Sequence, residues 1–102
     1  MKIKRIKKLT TMCGDFTVRW DKSSFGGYVS FSDHEIMIGT APCDTEQWDT
    51  IVHECSELAH VGLSQRFGRP DCSTGDFLFS FNHAGHASHS TALAAMLSQF
   101  IG

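Results

Sequence analysis

One change of rhythm limits how this chain folds more than any other feature: up to about position 40 its apolar residues alternate, and from Asp44 onward they recur at helical spacing. In DFTVRW, Phe16, Val18 and Trp20 share one side and Asp15, Thr17 and Arg19 the other, the period-two pattern of a half-buried strand. GGYVSFS repeats the alternation, with Tyr28, Ser30 and Ser32 opposed to Val29 and Phe31. The DKSS turn between the two stretches predicts a hairpin, eased by Gly26 and Gly27. After Ser32, Asp33 and His34, EIMIGT is a third short strand with Ile36 and Ile38 on one face. Strands followed by helices predict an α+β domain, with a small, mostly antiparallel sheet of three to four strands and two main helices.

Pro42, an Asp44 or Thr45 cap and Glu46 mark a helix start, and the helix is expected from about Asp44 to about Gln65. Its apolar stripe is Trp48, Ile51, Val52, Cys55, Leu58, Ala59 and Gly62. Gly68, Arg69 and Pro70 stop it, and DCSTGD reads as a polar loop. FLFSF then looks like another strand, with Phe77, Phe79 and Phe81 as a core row or, where exposed, a partner surface. The second helix is expected within 86–101, from Ser88 to Ile101, with His89, Leu93, Met96, Leu97 and Phe100 facing the core.

The chain has 102 residues, enough for one domain with its own core and at most one active site. Net charge is only -2, but Lys2, Lys4, Arg5, Lys7 and Lys8 leave four basic residues against eleven acidic ones from position 9 onward. The body is acidic and residues 1–9 form a basic arm or edge strand, anchored by Ile3, Ile6 and Leu9. Nucleic acid is therefore an expected partner only through that arm. No apolar run approaches the ~20 residues that span a bilayer, and MKIKRIKKL lacks the apolar stretch of a signal peptide. The expected compartment is the cytoplasm, without a membrane partner. Cys13, Cys43, Cys55 and Cys72 include no C-x-x-C pair and read as free thiols.

The residues that carry chemistry lie in IVHECSELAH. On a helical wheel His53, Glu57 and His60 fall within about 60° of one another, opposite the Trp48, Ile51 and Cys55 side. Side chains four apart can chelate one ion, which makes His53 and Glu57 candidate metal ligands. Glu54 stands where zinc hydrolases place a general base, able to take a proton from water whose pKa a metal has lowered to about 7. A catalytic zinc takes three protein ligands, so one more is needed, and NHAGHASHS offers His83, His86 and His89. His89 is preferred because a histidine on an apolar stripe needs a partner. His60 is the alternative from the first helix. Zinc is the expected ion, and iron(II) accepts the same two histidines and one carboxylate. Cys55 points into the core stripe, and His34 reads as an exposed turn residue.

With these residues the chain resembles a minimal zincin-type metallopeptidase, in which a short sheet precedes an H-E-x-x-H helix and a later helix supplies the last ligand. It also resembles small phage-encoded proteins with an H-E-x-x-E helix. The resemblance implies His53 as ligand and Glu54 as general base, acting on a protein or peptide substrate. Glu57 stands where the family has its second histidine, and a histidine of the second helix takes the place of a glutamate. The alternative is a non-catalytic, metal-stabilised module that captures a host protein.

Overall fold

The computed structural model describes residues 2–68 and 77–102. Arg69, Pro70, Cys72 and the loop expected over 71–76 lie outside the described residues, as does the side chain of Phe77. The elements are β1 (Lys8–Thr11), β2 (Gly14–Asp21), β3 (Gly27–Ser30), β4 (Glu35–Gly39), α1 (Asp44–Gly62), β5 (Arg66–Gly68), β6 (Phe77–Phe79) and α2 (His83–Leu97). A 3-10 turn at Ser98–Phe100 follows α2. The fold is α+β, as the change of rhythm predicts.

The four-stranded sheet is mixed, in the order β1-β2-β4-β3. Strand β4 lies between β2 and β3, parallel to β2 through Val18↔Ile36 and Trp20↔Ile38, and antiparallel to β3 through Val29↔Ile36. The expected hairpin of DFTVRW with GGYVSFS does not form; β3 turns back onto β4 instead, through residues 31–34, with His34 at φ 49°. The physical reason lies in β4, where Ile36, Met37, Ile38 and Gly39 are all buried. A continuous apolar run belongs at a sheet centre, where both faces are covered, rather than at an edge. On the outer face Arg19 donates to Glu35 at 3.0 Å, Asp21 at 3.2 Å and Tyr28 at 3.1 Å, beside Met37 in the strand register.

The inner face presents Leu9, Phe16, Val18, Ile36 and Ile38 to Ile51, Cys55, Leu58 and Ala59 of α1. Met96 and Phe100 close the same core from the C-terminal end. Burying a side chain of this size contributes about 1.5–3 kcal/mol, so these contacts and not helix propensity hold α1 in place. Val52, expected in the stripe, is exposed.

Helix α1 is capped by Cys43, whose thiol bonds the Glu46 carboxylate rather than a main-chain N–H, and ends at Gly62 rather than Gln65. A Cβ on Gly62 would meet Met12 at 2.8 Å and Cys13 at 2.9 Å, so the β1–β2 turn packs directly on the helix end. Gln65 is buried for another purpose: its amide donates to the Gly85 carbonyl at 2.8 Å, tying the end of α1 to α2. Helix α2 starts at His83, five residues earlier than Ser88, because the Asn82 side chain accepts from the Gly85 N–H at 2.9 Å and caps it. Among its described residues the basic arm forms no strand before Lys8; a bridge pairs Ile3 with Ile101.

Candidate functional site

Clefts open along the solvent side of α1, and His53 and Asp49 together line two of them. One, of about 260 Å³, lies between α1 and the start of β3, bounded by Gly26, Gly27, Thr50 and Glu54. The other, of about 330 Å³, runs on past Val52, Ser56, Glu57 and His60 to Phe79 of β6. His53, with a side chain 73% exposed, stands at their junction.

Glu54 is not a surface charge. It is only 6% exposed, and its Oε1 lies 3.9 Å from His53 Nε2. Burial pushes its carboxyl above the ordinary glutamate range; His53 opposes that shift and Glu57 adds to it. Close approach to the sheet is possible because residue 27 is glycine: a Cβ there would press on the Met37 carbonyl oxygen and meet Glu54 Cγ at 3.3 Å.

Glu57 faces the larger cleft, but its Oε1 accepts from Arg66 Nη1 at 2.6 Å, and both side chains are 22% exposed. His60 lies one turn further along, with Nδ1 2.9 Å from Gln65 Oε1. Its ring stacks on His89 at 4.0 Å between centroids and touches Phe79 at 4.6 Å and Phe81 at 5.6 Å. His53 and His60 are two helical turns apart, roughly 10 Å along the axis, too far to share one ion.

His89, the preferred ligand of α2, is 8% exposed and its Nε2 is 3.1 Å from Ser56 Oγ. Its Nδ1 is buried without a hydrogen-bond partner among the described residues. Desolvation lowers its pKa, and His60 and His86 lower it further. His83 begins α2 and is exposed; His86 is exposed and stacks on Phe81 at 6.0 Å. His34 is exposed in its turn, yet its ring stacks on Phe16 at 4.6 Å. Cys55 is buried and its thiol is pushed up to about 12, mainly by burial, which removes it as a nucleophile. Cys13 and Cys43 are also free thiols.

The structure thus brings His53, Glu54 and Glu57 to one pair of clefts and places His89 beside Ser56 and His60. Among the described residues no three of His, Cys, Asp and Glu gather closely enough to hold an ion. The donor types suit zinc or iron(II), but Glu57 is committed to Arg66 and His89 to Ser56. Sequence reasoning assigned none of Arg66, Ser56, Gln65, Asp49 or Gly27 to the site. Ser56 was the most accessible of these, being three residues after His53 on the same helix; Arg66 and Gly27 reach the site only through the return of the chain. The described members of the FLFSF row are not core, since Phe79 is 41% and Phe81 46% exposed.

No family model, curated protein or solved structure matches the chain. Fold and site define an α+β domain with an open polar cleft beside a free sheet edge. No helix of the described residues is long and apolar enough to cross a membrane.

Proposed function

We propose that the chain is a zinc-dependent hydrolase that cleaves a peptide in the cleft between α1 and β3, with Glu54 as general base. The observation that carries this reading is the placing of Glu54: a carboxylate almost removed from water, raised by burial, and lining a cleft that it shares with His53. General-base catalysis favours a proton affinity nearer the working pH. Glu54 would take a proton from water in the cleft and pass it to the departing amine as the peptide C–N bond breaks and a C–O bond forms. The ion's part in such chemistry is to acidify water and polarise a carbonyl. His53 and Glu57 are the α1 side chains that would hold it, and His89 the one from α2. For that set to close, Glu57 has to leave Arg66 and His89 has to turn from Ser56.

The test is metal analysis of untagged protein beside His53→Ala, with peptide hydrolysis measured for the wild type and Glu54→Gln. The expected result is about one equivalent of zinc, lost in His53→Ala, and no hydrolysis by a Glu54→Gln variant that still binds zinc. Hydrolysis that survives Glu54→Gln, or no metal in either protein, overturns the reading.

A second reading, a non-catalytic module that captures a host protein, is favoured by one observation. Phe67, Leu78, Phe79 and Phe81 are exposed on and beside the β5–β6 pair, next to the larger cleft. If metal only clips this module together, chelation lowers its melting temperature by many degrees while no peptide is cleaved.

A further inference from the structure

The cations near the start of the chain form a fixed ridge. Residues 2 to 9 turn every third side chain inward: Ile3 and Ile6 are half-buried against the core and Leu9 is fully buried. Lys2, Lys4, Arg5, Lys7 and Lys8 fill all the other positions and are exposed. Main-chain bonds secure the strip at its start, where the Lys4 N–H donates to the Phe100 carbonyl at 2.6 Å and the Gly102 N–H to the Lys2 carbonyl at 3.0 Å. Further along, Trp20 Nε1 donates to the Ile6 carbonyl at 2.8 Å, and the Arg5 guanidinium lies over the Trp20 ring at 5.3 Å. The cations are therefore displayed on a strip at most about 20 Å long, the reach of a fully extended chain of that length. The Ile6 N–H donating to the Lys4 carbonyl at 3.0 Å shortens it with a turn.

Concentrating like charges on a fixed strip costs repulsion, and the chain relieves little of it. Among the described residues the one ion pair on the ridge is Lys8 with Asp15, at 3.7 Å and well exposed. The rest of the chain carries four basic residues against eleven acidic ones, so the ridge is a narrow positive line on a negative body.

We propose that this ridge binds the phosphate backbone of single-stranded nucleic acid. A flexible linear polyanion can follow the ridge alone, whereas a broad anionic surface would also meet the acidic body. The described apolar side chains of the strip, Ile3, Ile6 and Leu9, turn inward, so the strip itself presents no apolar face to a bilayer. The ridge serves a purpose separate from the α1 clefts, and neither Glu54 nor a metal takes part in it.

The experiment is fluorescence anisotropy of a labelled oligothymidylate titrated with the full chain at rising salt. Five phosphate contacts at a log–log slope of about −0.7 each predict that affinity falls about 100-fold between about 50 and about 200 mM salt. Lys4→Glu with Lys7→Glu is expected to abolish binding without changing the melting temperature, and Lys4→Arg with Lys7→Arg to retain it. The proposal is overturned by no binding at the lowest salt, by equal binding of the charge-reversed variant, or by tighter binding to phosphatidylserine vesicles than to the oligonucleotide.

Discussion

Arg66, the first residue of β5, reaches back over α1 and donates through Nη1 to Glu57 Oε1 at 2.6 Å. The guanidinium thus occupies the carboxylate that a metal at this helix would need, and also lies over the Phe31 ring at 5.5 Å. Replacing Arg66 by alanine is expected to cost about 1 kcal/mol of stability, the range of a partly exposed charge-assisted bond. The same change should tighten zinc uptake by about tenfold, since one competitor for Glu57 is gone. Calorimetric zinc titration of the wild type and variant checks this, and weaker uptake by the variant would count against Glu57 as a ligand.

Glu54 links function to stability with a definite sign. Its folded pKa is raised, so the folded state prefers the protonated form. Stability from this group is then fully present below the ordinary glutamate range and is lost as pH rises through the raised folded value. Glu54→Gln is expected to melt higher than the wild type at neutral pH while losing hydrolysis. The difference in melting temperature should shrink as the pH falls towards 4 and below, where Glu54 is protonated in both states. Melting curves across that range decide it.

Gly27 is the contact that lets Glu54 approach the sheet edge. In Gly27→Ala the new methyl presses on the Met37 carbonyl oxygen and on Glu54 Cγ. Backbone can yield only by shifting β3 against β4, so a loss of about 1–3 kcal/mol is expected, with Glu54 displaced from its cleft. Chemical denaturation measures the first, and a fall in any Glu54-dependent activity greater than the fraction unfolded shows the second.

The free thiols should separate by burial. Cys43 is exposed, whereas Cys55 is 1% exposed with its thiol pushed up to about 12. Iodoacetamide at neutral pH is expected to label Cys43 within minutes and to leave Cys55 intact until the chain unfolds. Peptide mapping by mass spectrometry reads both. Early labelling of Cys55 would mean that α1 leaves the sheet readily.

Sequence alone determined the parts of this protein that depend on near neighbours. The alternation of Phe16, Val18 and Trp20 and the stripe of Ile51, Cys55 and Leu58 repeat within a few residues, so strands, helix and inward faces were legible, as were the anchors Ile3, Ile6 and Leu9. The shared face of His53 and Glu57 was legible for the same reason, because i and i+4 meet on any helix. Partners brought by the return of the chain were not. That β4 would enter between β2 and β3, that Arg66 would claim Glu57, and that His89 would settle on Ser56 and His60 are long-range choices. Local pattern says which face of an element is apolar; which element covers that face is decided by packing all of them at once, and only the tertiary structure records that choice.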